Sequence, residues 1–211
     1  MAWPVTLSDG LVGLRPLRLR DGARWRELRT ANRHWLEPWE ATPPDPQAPG
    51  MSYAQLVRAL AREARGGRGL PFAITYGEVM VGQLSVSGIG WGSLCSANVG
   101  YWVSEHVAGR GITPTAVALA TDHCLITLGL HRMEVNIRPE NAASLRVVDK
   151  LGFRDEGLRR AYLHIDGAWR DHRTFALTRE ELGPGGLLGR WHDVQSQKPH
   201  ESHPRHTEPP A

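Results

Sequence analysis

Two hydrophobic periods take turns along this chain. Residues 11–17 are largely apolar and predict a first strand. Asp21 stands ahead of Ala23, Trp25 and Leu28, which share one side of a helix that Asp21 is placed to cap. Ser52 opens a second helix, with Leu56, Val57, Leu60, Ala61 and Ala64 at helical spacing and an RGGRG run at its end. Between the two, HWLEPWEATPPDPQAPG (34–50) is too proline-rich for a regular element and predicts a long loop. LPFAITY and VMVGQLSVSGI then flank Gly77-Glu78, a hairpin signal, and SLCSANVGYWV predicts the third strand of this antiparallel run. A helix follows from Thr113 to Leu128, ended by Gly129, and Met133, Val135 and Ile137 alternate as in a strand. Asn141 begins a helix with Leu145, Val148 and Leu151 on one side, stopped by Gly152. GFRDEG starts another strand, and YLHIDGAWRDHRTFALT folds about Asp166-Gly167.

This order predicts a mixed α/β fold, a sheet with helices on both faces, over residues 1–182. From Gly183 onward the chain is rich in Pro, Gly, His and Ser without a period. That predicts a disordered tail over 183–211, whose removal at Gly185 leaves folding and chemistry intact.

Composition narrows the setting. Of 211 residues, 41% are hydrophobic, enough for one sizeable core. Cys95 and Cys124 lack metal-ligand spacing and read as free thiols in a reducing compartment. The N-terminus lacks the basic region and apolar run of a signal peptide, and nothing approaches the ~20 apolar residues of a membrane helix, so the expectation is a cytoplasmic chain with no membrane partner. His192, His200, His203 and His206 have no cysteine or carboxylate pattern with them, and no metal is expected. Lys+Arg number 25, and only Lys150 and Lys198 are lysines. The basic stretch LRPLRLRDGARWRELR (14–29) is interrupted by acids and reads as a solvated helix face, so no nucleic-acid contact is expected.

The chemistry concentrates in YWVSEHVAGRGITPTAV (101–117). Thr113 is placed to cap a helix with Pro114 at its first position. Free N–H groups and the positive end of the dipole at such a start attract an anion. Gly109 and Gly111 let the backbone turn sharply and aim more N–H groups at the same point. GRGITP lacks the third glycine of a dinucleotide fingerprint and the Gly-Lys-Ser/Thr of a P-loop.

VAGRGITPTAV resembles the pyrophosphate loop of GNAT-superfamily acyltransferases, Gln/Arg-x-x-Gly-x-Gly/Ala. NAASLRVVDKLGF (141–153) is similar to the second signature of the RimJ/RimL type, and stretches such as RRAYLHIDGAWRDH resemble RimJ-like ribosomal-protein-alanine N-acetyltransferases. Three positions depart from the wider family. His106 stands for Gln or Arg, Asn98 for an acidic residue, and Val148 for the tyrosine that RimI-type enzymes use as general acid.

The resemblance implies a GNAT fold, with a mostly antiparallel sheet in which one parallel strand pair, residues 100–103 and 133–137, splays apart. It implies acetyl transfer from acetyl-CoA, with no metal, to a primary amine, foremost the N-terminal α-amine of a protein, ribosomal proteins included. Trp102, Val103, Ala108, Gly109, Arg110, Gly111, Ile112, Thr113, Asn141 and Ser144 are then the cofactor-binding positions, with the Val103 N–H on the carbonyl oxygen. Ser144 is the first candidate for the acid that protonates the leaving sulfur, and Tyr162 the second. Ser144 bonding only its own helix, and Asn141 serving only as a cap, stay open beside these roles. Trp35, Trp39, Tyr162 and His164 are the candidate acceptor walls, with Leu36 and Trp169 beside them. Glu105, Glu134 and Asp166 are equal candidates for the general base. The rivals are a small-amine acetyltransferase acting on polyamines or aminoglycosides, and a CoA-binding regulator without catalysis.

Overall fold

The computed structural model describes residues 3–45, 47 and 49–197. Period-2 alternation puts one sheet between two helical layers. In the strand Leu70–Tyr76 (β3), Leu70, Phe72 and Ile74 face one core and Ala73 faces the other. The earlier strands are β1 (Leu7–Asp9) and β2 (Val12–Pro16). The later ones are β4 (Val79–Gly90), β5 (Ser96–Val103), β6 (Arg132–Ile137), β7 (Arg154–Ile165) and β8 (Ala168–Thr178). They form one sheet in the order β1-β2-β3-β4-β5-β6-β8-β7, antiparallel at every step except β5–β6. The Gly77-Glu78 and Asp166-Gly167 turns have positive φ at both residues, as a two-residue hairpin with native twist requires.

On the smaller face, helices α1 (Gly22–Ala31) and α3 (Tyr53–Arg65) bury Leu28, Tyr53 and Val57 against Ala73 and Met80. Ser52 caps α3 as expected, its hydroxyl accepting from Gln55 N–H while Gln55 Oε1 accepts from Ser52 N–H. Asp21 does not cap α1. Its carboxylate takes the Arg15 guanidinium at 2.8 and 2.9 Å and the Arg18 N–H at 2.8 Å, a stronger charge-assisted set. The segment expected as one long loop begins with a helical turn, α2 (Arg33–Leu36), and a 3-10 turn at Glu37–Trp39.

On the larger face lies α4 (Ile112–Asp122), apolar all round and buried along nearly its whole length, followed by a π turn at His123–Thr127. The helix starts one residue before the expected Thr113 cap. Gly111, at φ 80°, holds the cap position, and Pro114 stands third. Helix α5 (Ala142–Leu151) starts as expected, with Asn141 Oδ1 accepting from Ser144 N–H at 3.0 Å, and ends at left-handed Gly152.

The expectation of a disordered tail from Gly183 is corrected over Gly186–Ser196, which form α6. Leu187 and Trp191 are buried there, 0% and 2% exposed. The cap comes from far away. The Asp122 carboxylate accepts from Leu187 and Leu188 N–H at 2.7 and 2.9 Å, and at Gly186 a Cβ would sit 2.6 Å from that carboxylate. Residues 198–211 of that expected tail lie outside the described residues.

Candidate active site

The site begins where two parallel strands part. β5 and β6 pair only over Ser96↔Arg132, Ala97↔Met133 and Asn98↔Glu134. Asn136 marks the divergence. Its amide donates to Asn98 Oδ1 at 2.9 Å and accepts from Thr174 Oγ1 at 2.8 Å. Beyond it β5 runs on to Val103 with only β4 beside it. Ser104 N–H donates to Val81 C=O at 2.8 Å across the Gly82↔Val103 pair, so that pair is a non-hydrogen-bonded one. By alternation, Val103 and Tyr101 turn their N–H and C=O groups away from β4, toward the side β6 has left. The Val103 carbonyl accepts from Trp35 Nε1 at 3.2 Å.

The parting leaves two cavities, of about 570 and 180 Å³, which share Trp39, Tyr101, Asn141 and Ser144 as walls. The larger runs from Trp102 and Val103 past Ala108, Gly109, Gly111, Ile112 and Thr113 to Arg146 and Lys150 on α5. Gly109 and Gly111 both have φ 80°, and nothing lies within 4 Å of the point where a Gly109 Cβ would be. Behind the loop, Trp191 Nε1 donates to Thr115 Oγ1 at 2.8 Å, and Thr115 Oγ1 donates to Gly111 C=O at 3.0 Å. Helix α6 therefore buttresses the start of α4.

In front, buried Asn32 at the end of α1 accepts from Ser104 Oγ at 3.0 Å and Glu105 N–H at 2.8 Å, while its own amide donates to Leu28 C=O. His106 Nδ1 lies 2.7 Å from Ser104 Oγ. Two helices thus clamp the loop through side chains 70 residues and more away in sequence.

At the floor, the Tyr101 phenol is cut off from solvent and has no well-formed hydrogen-bond partner. Burial drives its pKa far up, and the neighbouring Ser144 hydroxyl draws it part of the way back. The phenol therefore stays neutral at any working pH.

The family model for the acetyltransferase (GNAT) domain matches residues 12–154. The chain belongs to the GNAT acetyltransferase family. It is an N-acetyltransferase by family, and its sheet, with one parallel pair among antiparallel neighbours, is the GNAT fold. It is similar to Mycobacterium smegmatis RimJ, solved in complex with CoA-disulfide, with 41% identity, a TM-score of 0.86, and coverage of 92% of this chain and 96% of that one. The Escherichia coli [ribosomal protein uS5]-alanine N-acetyltransferase is 28% identical over 86% of this chain and 94% of its own length. The Bacillus subtilis probable N-acetyltransferase YjcK is 29% identical over 81% and 96%.

Within this GNAT site most expected positions come together. Trp35, Trp39, Trp102, Val103, Ala108, Gly109, Gly111, Ile112, Thr113, Asn141 and Ser144 all line the larger cavity. Arg110 is exposed and outside the lining. Tyr162 and His164 line neither cavity. Tyr162 stands under the Arg159 guanidinium, 5.0 Å from its ring centroid, in a bulge where residues 160–162 of β7 face Asp171 alone, two more than a regular ladder holds. His164 braces the loop instead. Its Nδ1 lies 2.9 Å from Thr42 Oγ1, and its carbonyl accepts from Thr42 N–H.

Glu105, Glu134 and Asp166 also stand outside both cavities. Glu134 is held by Arg132 at 2.8 Å and Arg159 at 3.0 Å, and Glu105 by His34 at 2.8 Å. Sequence reasoning missed Tyr101, Asn32, Arg146, Lys150 and His172. For His172 a signal existed, since it shares the inward phase of β8 with Thr174 and Ala176.

Proposed function

We propose that this enzyme moves an acetyl group from acetyl-CoA to the N-terminal α-amine of a protein, of the ribosomal-protein kind. The observation that carries the donor half is one cavity wall that joins the β5 edge at Tyr101 and Val103, turned away from β4, to the Gly109–Gly111 loop and the start of α4. A pantetheine arm is an amide-bearing chain and suits a free strand edge, and a pyrophosphate suits a helix start with two left-handed glycines before it. The opening beside Gly109 leaves room for it, and Arg146 and Lys150 add positive charge at the far end. Acetyl-CoA supplies the activated thioester. The Val103 N–H donates to its carbonyl oxygen as charge builds there. Ser144, on the first turn of α5 and on the wall of both cavities, protonates the departing sulfur. Tyr101, neutral at any working pH, stands beside Ser144 at the floor of the site and positions that hydroxyl.

The acceptor reading rests on relatives named for alanine and ribosomal-protein N-acetylation, and on walls of Trp35 and Trp39. Glu40 and Glu140, also on the cavity wall, are ion-paired with Arg29 and Arg138, so the walls lack the unpaired acidic pocket a polyamine needs. The test is acetyl-CoA turnover on a peptide with a free N-terminal alanine, against spermidine and an aminoglycoside. Wild type should favour the peptide, and Ser144→Ala should lose ~10²-fold in rate while CoA still raises its melting temperature. Preference for the small amines would overturn the acceptor. Absence of any turnover, with CoA still bound, would point to a regulator.

A further inference from the structure

We infer that His172 is the general base of this reaction, taking one proton from the acceptor's α-ammonium at its Nε2. The inference rests on the acetyl-transfer reading above and adds the group that reading lacks. His172 is 3% exposed and lines the smaller cavity, across the strand gap from the thioester path. Tyr101 and Ser144 line that same cavity, so base and acid reach one space from different sides.

The tautomer follows from the geometry. His172 Nδ1 lies 3.1 Å from the Arg170 carbonyl, which only accepts, so Nδ1 carries the hydrogen. Nε2 of the neutral ring then holds the lone pair. Tyr162 packs edge-on against the ring, with centroids 5.5 Å apart, and fixes its plane. The charged and titratable groups facing it are Arg138 and Glu140 from the segment before α5, Asp171 on its own strand, Tyr162 on β7 and Tyr101 across the cavity. Burial foremost, with Arg138, depresses its pKa, and the Arg170 carbonyl and the two acids offset this in part. The imidazole is therefore neutral, and ready to accept, at pH 7.

The protons balance. The ammonium gives one proton to Nε2, and its nitrogen lone pair forms the bond to the acetyl carbon. The carbon–sulfur bond breaks, and the sulfur takes the Ser144 proton. The second proton leaving nitrogen restores the serine, and His172 releases its own to solvent. A base of lowered pKa also selects its substrate. An α-amine, at ~7.7–8.0, is within its reach, whereas a lysine amine lies roughly 2.5 pH units higher. The base and the N-terminal acceptor therefore support each other.

The experiment measures kcat and KM against pH 6–9 for wild type, His172→Asn and His172→Gln, with an N-terminal alanine peptide and saturating acetyl-CoA. At pH 7 the variants should lose ~10²-fold or more in kcat, keep the CoA-induced melting shift, and recover as pH rises past the α-amine pKa. A purely structural histidine would give a loss that does not change with pH, and that result overturns the inference, as does a variant within twofold of wild type. A wild type inert on the peptide fails the acetyl-transfer reading itself and takes the base with it. Should both variants misfold, ring-nitrogen NMR of the wild type decides. Protonated Nδ1 with bare Nε2 at pH 7 upholds the base, and an Nε2–H or doubly protonated ring overturns it.

Discussion

The two halves of this site are made of different material. The proposed donor half is backbone: N–H groups of β5, of the Gly109–Gly111 turn and of the first turn of α4, set by dihedral angles and buttressed by α6. The proposed acceptor half is side chain: Trp35 and Trp39 from one segment, Tyr101 from β5, His172 from β8, brought together over more than 130 residues of sequence. Its walls are tied by long-range contacts. Arg138 donates to Pro38 C=O at 2.8 Å and stacks over Trp39, and Ala41 pairs with Ile165. A backbone site should be sensitive to chain geometry and tolerant of side-chain change. A side-chain site should show the reverse.

Four substitutions or conditions sharpen that contrast. The largest effect belongs to α6. Truncation at Gly185, or Trp191→Ala, removes a fully buried aromatic and the donor to Thr115, and should cost ~3–5 kcal/mol of stability by chemical denaturation. It should also weaken CoA binding, because the Gly111 support goes with it. Next, Gly109→Asp puts a carboxylate, at φ 80°, beside the phosphate path. A ligand at a hundred times its dissociation constant adds about 2.7 kcal/mol, and this variant should lose that whole thermal shift while Ala108→Ser keeps it. Third, Tyr101→Phe should lower the rate of the chemical step by about tenfold, ~1.4 kcal/mol, with CoA affinity unchanged, and should add nothing in a Ser144→Ala background. The smallest effect is in pH. Burial lowers the folded-state pKa of His123 and His172, so the unfolded chain takes up protons first and stability declines as pH drops below about 6.5. Thermal melts from pH 8 to 5 check this, and His123→Gln should flatten the slope.

The same difference in material explains what the sequence disclosed. Glycines, the Asn141 cap and the strand before them mark a backbone site locally, so the loop, its helix and the Asn141–Ser144 corner were legible from the string alone. The sheet was legible too, because alternation in β3 to β6 is a local property. The Asp122 cap on α6 is not local: a carboxylate 65 residues upstream satisfies that helix start, and the segment without it reads as tail. Asn32 likewise looks like an ordinary helix end until Ser104 and Glu105 are folded onto it. Tyr162 drew attention as a hydroxyl in the right hairpin, yet a bulge of three residues turned it away and left His172 on the cavity wall. No spacing rule predicts a bulge that is fixed by Ala161 N–H bonding Asp171 across the hairpin at 2.8 Å.

In the proposed site a backbone cradle for the acetyl donor faces a neutral side-chain pocket built for an α-amine. The most direct measurement is site-resolved mass spectrometry of a peptide that carries both a free N-terminal alanine and an internal lysine, incubated with enzyme and acetyl-CoA near pH 7. The expected product carries acetyl on the α-amine alone, formed at a rate that saturates with acetyl-CoA and collapses in Gly109→Asp. Acetylation of the lysine side chain, or a rate indifferent to Gly109→Asp, would contradict it.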